Sequence, residues 1–214
     1  MIEVKGEIKI QTKTSTLYFD IKINKGDVAF IIGSNGSGKT TLFDIITGNR
    51  NLDKGILKVD SKKPIAYALQ DIDNCLLPWL SIIENIQLPN KLFTFNDFDN
   101  DKVYKTLQKF NLFHRKDDYP YKLSGGEKQI INFIRTIYSP SEILLLDEVF
   151  SSMHSDTKKI AKEIFNEEMN DKTILFVTHD SADLTLIHNR EFAFIDNSLV
   201  EIDNEHAKEI LNQI

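Results

Sequence analysis

The sequence has one cysteine, one tryptophan and five prolines in 214 residues, and no apolar run approaches the 18 residues needed to span a membrane. With Cys75 alone, no internal disulfide can form, which fits a reducing compartment. Cys75 reads as a spare thiol rather than a nucleophile, because no basic partner is evident near it in sequence. Residues 1–5 do not form a signal peptide, so the chain is expected not to cross a membrane by itself. Positive charge is in deficit, with 26 Lys and Arg against 32 Asp and Glu, a net charge of −6. That balance removes the overall electrostatic case for nucleic acid or anionic lipid, so any anion must be bound locally. No repeats or low-complexity tracts occur. What is left is an ordinary globular composition, 41% hydrophobic and 27% charged, enough for one large domain or a core with a subdomain.

The most specific stretch is Gly33, Ser34, Asn35, Gly36, Ser37, Gly38, Lys39 and Thr40, followed by Thr41. It follows an apolar run, residues 28–32, that reads as a buried strand, and precedes residues 41–47, which read as a helix stopping at Gly48. Glycines let the backbone wrap an anion with its N–H groups, and a helix N-terminus adds partial positive charge. In that context Lys39 is expected to reach the β- and γ-phosphates of a nucleotide and the Thr40 hydroxyl to ligate Mg²⁺.

Around this loop, residues 7–10 and 17–23 alternate like half-exposed strands, an antiparallel hairpin at a sheet edge. Residues 55–60 read as a short exposed strand and 65–69 as a second buried strand, ending at Gln70. From Cys75 to Tyr138 helical spacing takes over, with Val103, Leu107 and Phe110 on one face and Ile130, Ile134 and Ile137 on another. Residues 96–101 form a polar approach, with Asp99 or Asn100 as N-cap. Buried strands return at 143–146 and 173–177, separated by a helix over 156–169. This alternation predicts an α/β fold: one domain over 1–214, with a mostly parallel core from 1–74 and 139–214 and a helical subdomain, 75–138, inserted in it. Three core strands end in Gln70, Asp147 and His179, and carboxyl ends of parallel strands line ligand crevices.

Asp147 suits the carboxylate that holds Mg²⁺, and Glu148 one that accepts a proton from attacking water. Alone, two acids closing a strand would be solvent-facing polar groups; the phosphate loop changes that reading. Residues 123–127, Leu-Ser-Gly-Gly-Glu, read as a turn opening a helix with Ser124 as N-cap and a backbone that an anion can approach closely. One triphosphate needs one cradle, so a second implies head-to-tail pairing of two chains.

The glycine–lysine loop, Gln70, residues 123–127, Asp147-Glu148 and His179, in this order, resemble the nucleotide-binding subunit of an ATP-binding cassette transporter. The resemblance implies a P-loop NTPase core with an antiparallel edge β-subdomain, and an ATP sandwich of two copies or homologous subunits. It further implies docking on integral membrane permease subunits at the cytoplasmic face of the membrane. Carried over by position, Gln70 senses Mg²⁺ and water, Ser124 and Gly126, with Gly125 between them, contact the partner's γ-phosphate, and His179 is the switch histidine near that phosphate. Residues 76–80, Leu-Leu-Pro-Trp-Leu, are similar to the importer branch handling nitrate, sulfonates and taurine. An exposed tryptophan among leucines there suits a docking patch for a membrane partner, the alternative being a buried tryptophan. Five residues at four places depart from the pattern. Ile10 and Gln11 stand where an adenine-stacking aromatic is usual, and His154 replaces an aspartate. Ile130 replaces an arginine and Val149 a proline. A regulatory or catalytically weak cassette, a soluble cassette ATPase on DNA or ribosomes, and a small-molecule kinase stay as alternatives. The kinase leaves residues 123–127 unexplained, and from the short stretch after His179 no sizeable C-terminal regulatory domain is expected.

Overall fold

The computed structural model describes residues 1–10, 15–69, 71, 75–93, 98–169 and 171–213. Gln70, Gln11 and residues 96–97 lie outside them. Among the described residues nine strands form one sheet in the order β4-β1-β2-β9-β8-β3-β7-β6-β5. These are β1 (Ile2–Ile10), β2 (Ser15–Ile23), β3 (Val28–Ile32), β4 (Lys54–Val59), β5 (Ile65–Ala68), β6 (Ile143–Asp147), β7 (Thr173–Val177), β8 (Arg190–Ile195) and β9 (Ser198–Ile202). Five pairings are parallel and three antiparallel, in keeping with the mostly parallel sheet expected.

The middle of the sheet is built from β3, β7 and β6, every residue of which is buried. Apart from Thr173 and Asp147 at strand ends, every position in them is apolar, so both faces must be covered, and they are. Val28, Phe30, Leu144, Leu146, Ile174 and Phe176 face one apolar cluster, whereas Ala29, Ile31, Ile143, Leu145, Leu175 and Val177 face another. The second cluster is closed by α1 (Lys39–Ile46) and the inner faces of β1 and β2. The first is closed by α2 (Ile82–Leu92), α3 (Asn100–Lys109), α4 (Gly125–Ile137), α5 (Ser155–Glu168) and α6 (Asn204–Leu211). Each buried Leu, Ile or Phe contributes about 1.5–3 kcal/mol of transfer free energy, so these clusters dominate stability.

The structure adjusts several expectations. The β1–β2 hairpin is antiparallel as expected, but β4 lies outside β1 and forms the sheet edge. Strand β5 is half-buried rather than buried, because it is the opposite edge and pairs only with β6. Asp99 is the N-cap of α3, its side chain accepting the Lys102 N–H, and Asn100 is the first helical residue. The helical stretch between Cys75 and Tyr138 shares its apolar cluster with β3, β6 and β7, because Ile82, Ile86, Val103, Leu107 and Ile131 bury the same side as Phe30 and Phe176.

Residues 76–80 are held by a single buried side chain. Asn85 Oδ1 accepts the Leu77 N–H at 2.8 Å, while Nδ2 faces the carbonyls of Leu77, Leu80 and Ser81 at 3.0–3.1 Å. Ser81 and Glu84 close a capping box at the start of α2. The loop therefore has a fixed shape that presents Trp79, 69% exposed, to solvent. Asn85→Ala would leave the Leu77 N–H and these carbonyls without their partner. We expect a loss of about 2–4 kcal/mol, read as a lower midpoint in urea unfolding at an unchanged slope.

Candidate functional site: a phosphate loop beside two acids

Strand register brings the candidate residues to one edge. Ile31 pairs with Val177 and Val177 with Asp147, so the carboxyl ends of β3, β7 and β6 are level. Gly33, Glu148 and Thr178-His179 begin one or two residues beyond that line.

In the loop after β3, Gly36 (φ 73°) and Gly38 (φ 123°) have backbone conformations that disfavour a side chain. At Gly38 space also excludes one, since a Cβ would lie 2.6 Å from Leu17 Cδ1. Helix α1 starts one residue later, at Lys39, and no side chain caps it. Its first-turn N–H groups thus face the loop, an arrangement that favours an anion. Lys39 is buried and donates to the carbonyls of Gly33 and Ser34 at 2.6 and 3.1 Å. Burial pulls its pKa below the ordinary lysine value, opposed by the charges of Glu148 and Asp147. Ser37 Oγ is buried with no hydrogen-bond partner among the described residues, a donor that a phosphate in the loop would satisfy.

Thr40 Oγ1 donates to Asp147 Oδ2 at 3.4 Å, and Tyr67 Oη donates to the same oxygen at 3.3 Å. Burial first, then the adjacent Glu148 charge, raises the Asp147 pKa, against Tyr67, Lys39 and Thr40. Among the described residues no cluster of three His, Cys, Asp or Glu could hold a metal. A hydroxyl beside one carboxylate fits Mg²⁺, which takes one or two protein oxygens and completes its shell with phosphate and water.

Glu148 has φ 51°, a left-handed conformation uncommon for a residue with a side chain. Three bonds impose it. Its N–H donates to Val177 O (3.1 Å), and its carbonyl accepts from Ser151 N–H (3.0 Å) and from Gln129 Nε2 (3.0 Å). His179 Nδ1 lies 3.3 Å from Glu148 Oε2, with the imidazole about half exposed. A cavity of about 250 Å³ brings Asn35, Gly36, Gly38, Lys39, Thr40, Thr41, Asp147 and Glu148 together with Ile10, Ser15, Leu17 and Asn197. Ile10 thus stands at the cavity, an aliphatic side chain where an aromatic is usual.

Ser124, Gly125 and Gly126 are not part of that cavity. Ser124 and Gly125 are exposed, and Ser124 caps α4 by a reciprocal bond with Glu127, which Arg115 holds at 2.6 Å. The second cradle therefore lies away from the same chain's Lys39. Tyr67, Gln129 and Thr178 were missed from sequence. Gln129 joins α4 to the Glu148 turn, accepting the Ser152 N–H as well as donating to Glu148 O, and only its four-residue spacing from the apolar Phe133 hinted at an inward face. His154 is the N-cap residue of α5 without making a side-chain cap. Cys75 does have basic neighbours, contrary to the sequence reading: Arg135 and Lys128 act on the thiol. Burial outweighs both and raises its pKa, which keeps the thiol protonated. Among the described residues no helix is long and apolar enough to cross a membrane.

The ABC transporter family model matches residues 18–151, more than half of the chain. The formylaminopyrimidine import ATP-binding protein ThiZ of Halalkalibacterium halodurans is 34% identical over 82% of this chain and 71% of its own length. The methionine import ATP-binding protein MetN 1 of Bacillus anthracis is 33% identical over 92% of this chain, which spans 60% of that protein. The ATP-binding cassette MJ0796, solved as a post-hydrolysis dimer bound to ADP and Pi, has the same fold (TM-score 0.77, 22% identity, 95% of this chain and 99% of that one). These names do not single out the nitrate, sulfonate and taurine branch. The phosphate loop, the acids at the strand ends and these matches agree: the chain is an ATP-binding domain of the ABC transporter family.

Proposed function

We propose that the chain binds and hydrolyses ATP to drive solute uptake through partner membrane subunits, two copies or homologues closing on the nucleotide. The observation that carries this reading is the meeting of Lys39, Thr40, Asp147, Glu148 and His179 at the carboxyl ends of β3, β6 and β7, with Thr40 3.4 Å from Asp147 and His179 3.3 Å from Glu148. Residues 33–41 wrap the phosphates, and Lys39 exchanges its loop carbonyls for β- and γ-phosphate oxygens. Thr40 and Asp147 would hold Mg²⁺, which would supply charge neutralisation at the phosphates; Gln70 is assigned to the same shell by the family resemblance. Glu148 orients or deprotonates the water that attacks the γ-phosphorus as the bond to the β-phosphate oxygen breaks. His179 contacts the γ-phosphate while its imidazole holds the Glu148 carboxylate in place.

Ser124, Gly125 and Gly126, outside the chain's own cavity and with Ser124 and Gly125 exposed, supply the second half of the site in the other copy. Trp79, with the half-buried Leu77 and Leu80 but not Leu76, which is buried, forms the docking patch for a membrane permease at the cytoplasmic face. Import is the direction favoured by the names of ThiZ and MetN 1, both import ATP-binding proteins.

Glu148→Gln should leave ATP affinity within about twofold while lowering turnover by about 10²–10⁴-fold, and should accumulate an ATP-bound dimer on size exclusion. Parental turnover in that variant removes the base assignment. A composite site makes a second demand. Lys39→Ala and Ser124→Arg chains, each inactive alone, should regain ATPase activity when mixed, because one intact pairing of Lys39 with Ser124 survives in the mixed dimer. A mixture as inactive as its components removes the two-copy arrangement.

A further inference from the structure

His179 is half exposed, yet the residues on either side of it are tightly held. Thr178 is buried; its hydroxyl donates to Asp183 Oδ2 at 2.6 Å and accepts the Asp180 N–H at 3.0 Å. Asp183 is 4% exposed, and its other oxygen faces two ammonium groups, Lys158 at 3.2 Å and Lys162 at 3.0 Å. Lys158 also bonds Asp180. The lysines are four residues apart on α5, hence on one helical face, so two cations meet two carboxylates. Burial opposes the Lys158 charge, but its bonds to Asp180 and Asp183 raise its pKa above the ordinary lysine value. No part of the proposed chemistry uses this cluster, although a cavity of about 60 Å³ connects it with Glu148 and His179.

We infer that Lys158 and Asp183 are positioning residues for His179: an ion pair anchored on α5 that clamps residues 178 and 180 and thereby sets the imidazole against Glu148. The hydroxyl of Thr178 transmits the restraint, because one oxygen ties the carboxylate of residue 183 to the backbone of residue 180. Exposed ion pairs contribute little, but this one is largely withdrawn from water, and a carboxylate stripped of its partner there is costly. Lys158 also lies in the first turn of α5, its N–H donating to His154 O at 2.8 Å. A shift of the loop over 151–154 therefore moves the same turn that clamps the histidine.

The catalytic consequence rests on the reading of Glu148 and His179 above, whereas the geometric claim can be tested without it. The chain has five histidines, so their ring signals can be resolved by ¹⁵N NMR on the full chain and His179 assigned by its loss in His179→Ala. Lys158→Met and Asp183→Asn should each shift the His179 ring signals, whereas Lys109→Met, which breaks a remote exposed pair with Glu167, should not. In the ATPase assay Lys158→Met should lower kcat at least tenfold with ATP Kd within twofold, and Lys158→Arg should restore at least half of the activity. Unmoved His179 signals in the folded Lys158→Met protein overturn the clamp, and so does an equal loss in kcat and ATP affinity. If the signals move while Glu148→Gln keeps parental turnover, the clamp stands and the hydrolytic reading fails.

Discussion

Everything at the site depends on three adjacent strands being too apolar to tolerate water on either face. Strands β3, β7 and β6 are buried throughout, so they run parallel and in register, covered by α1 and the antiparallel strands on one side and by helices on the other. Parallel register makes their carboxyl ends coincide. The loop to Lys39 after β3, Asp147-Glu148 at the end of β6 and Thr178-His179 after β7 are delivered to one line although the three groups lie far apart in sequence.

That delivery carries an electrostatic cost. Lys39 and Asp147 are both buried, and burial pushes each toward its neutral form. Their mutual attraction offsets part of the penalty, and the loop carbonyls of Gly33 and Ser34 take up the ammonium. A polyanion with a divalent cation suits such a place, because it meets lysine, hydroxyl and carboxylate at once. The left-handed backbone at Glu148 is the other local cost, on the order of 1–3 kcal/mol. It is imposed from three directions, by β7, by the following turn and by Gln129 of α4. The helix that begins with the serine–glycine turn is thus mechanically joined to the acid one residue past β6.

The helix that follows these acids serves a similar purpose for the histidine. Lys158 and Lys162 of α5 face Asp183, which reaches Thr178. Glu148 and His179 are consequently each restrained by a helix that starts elsewhere in the chain, α4 for the acid and α5 for the histidine.

Much of this was legible in the residues alone. A glycine-rich turn between an apolar strand and a helix has few other physical uses, and unbroken apolar runs such as 143–146 and 173–177 must be buried wherever they go. Strand edges were not legible: residues 65–68 are apolar, yet only the sheet order leaves them half covered. The same holds for Tyr67, Gln129 and Asp183, whose side chains gain meaning through partners 80, 19 and 5 residues away. Local pattern by itself determined the strands, helices and phosphate loop, because periodicity and turn chemistry act over a few residues. Which buried groups meet, which acid is strained and which lysines hold the histidine was decided only by tertiary packing, because those contacts depend on register and helix placement.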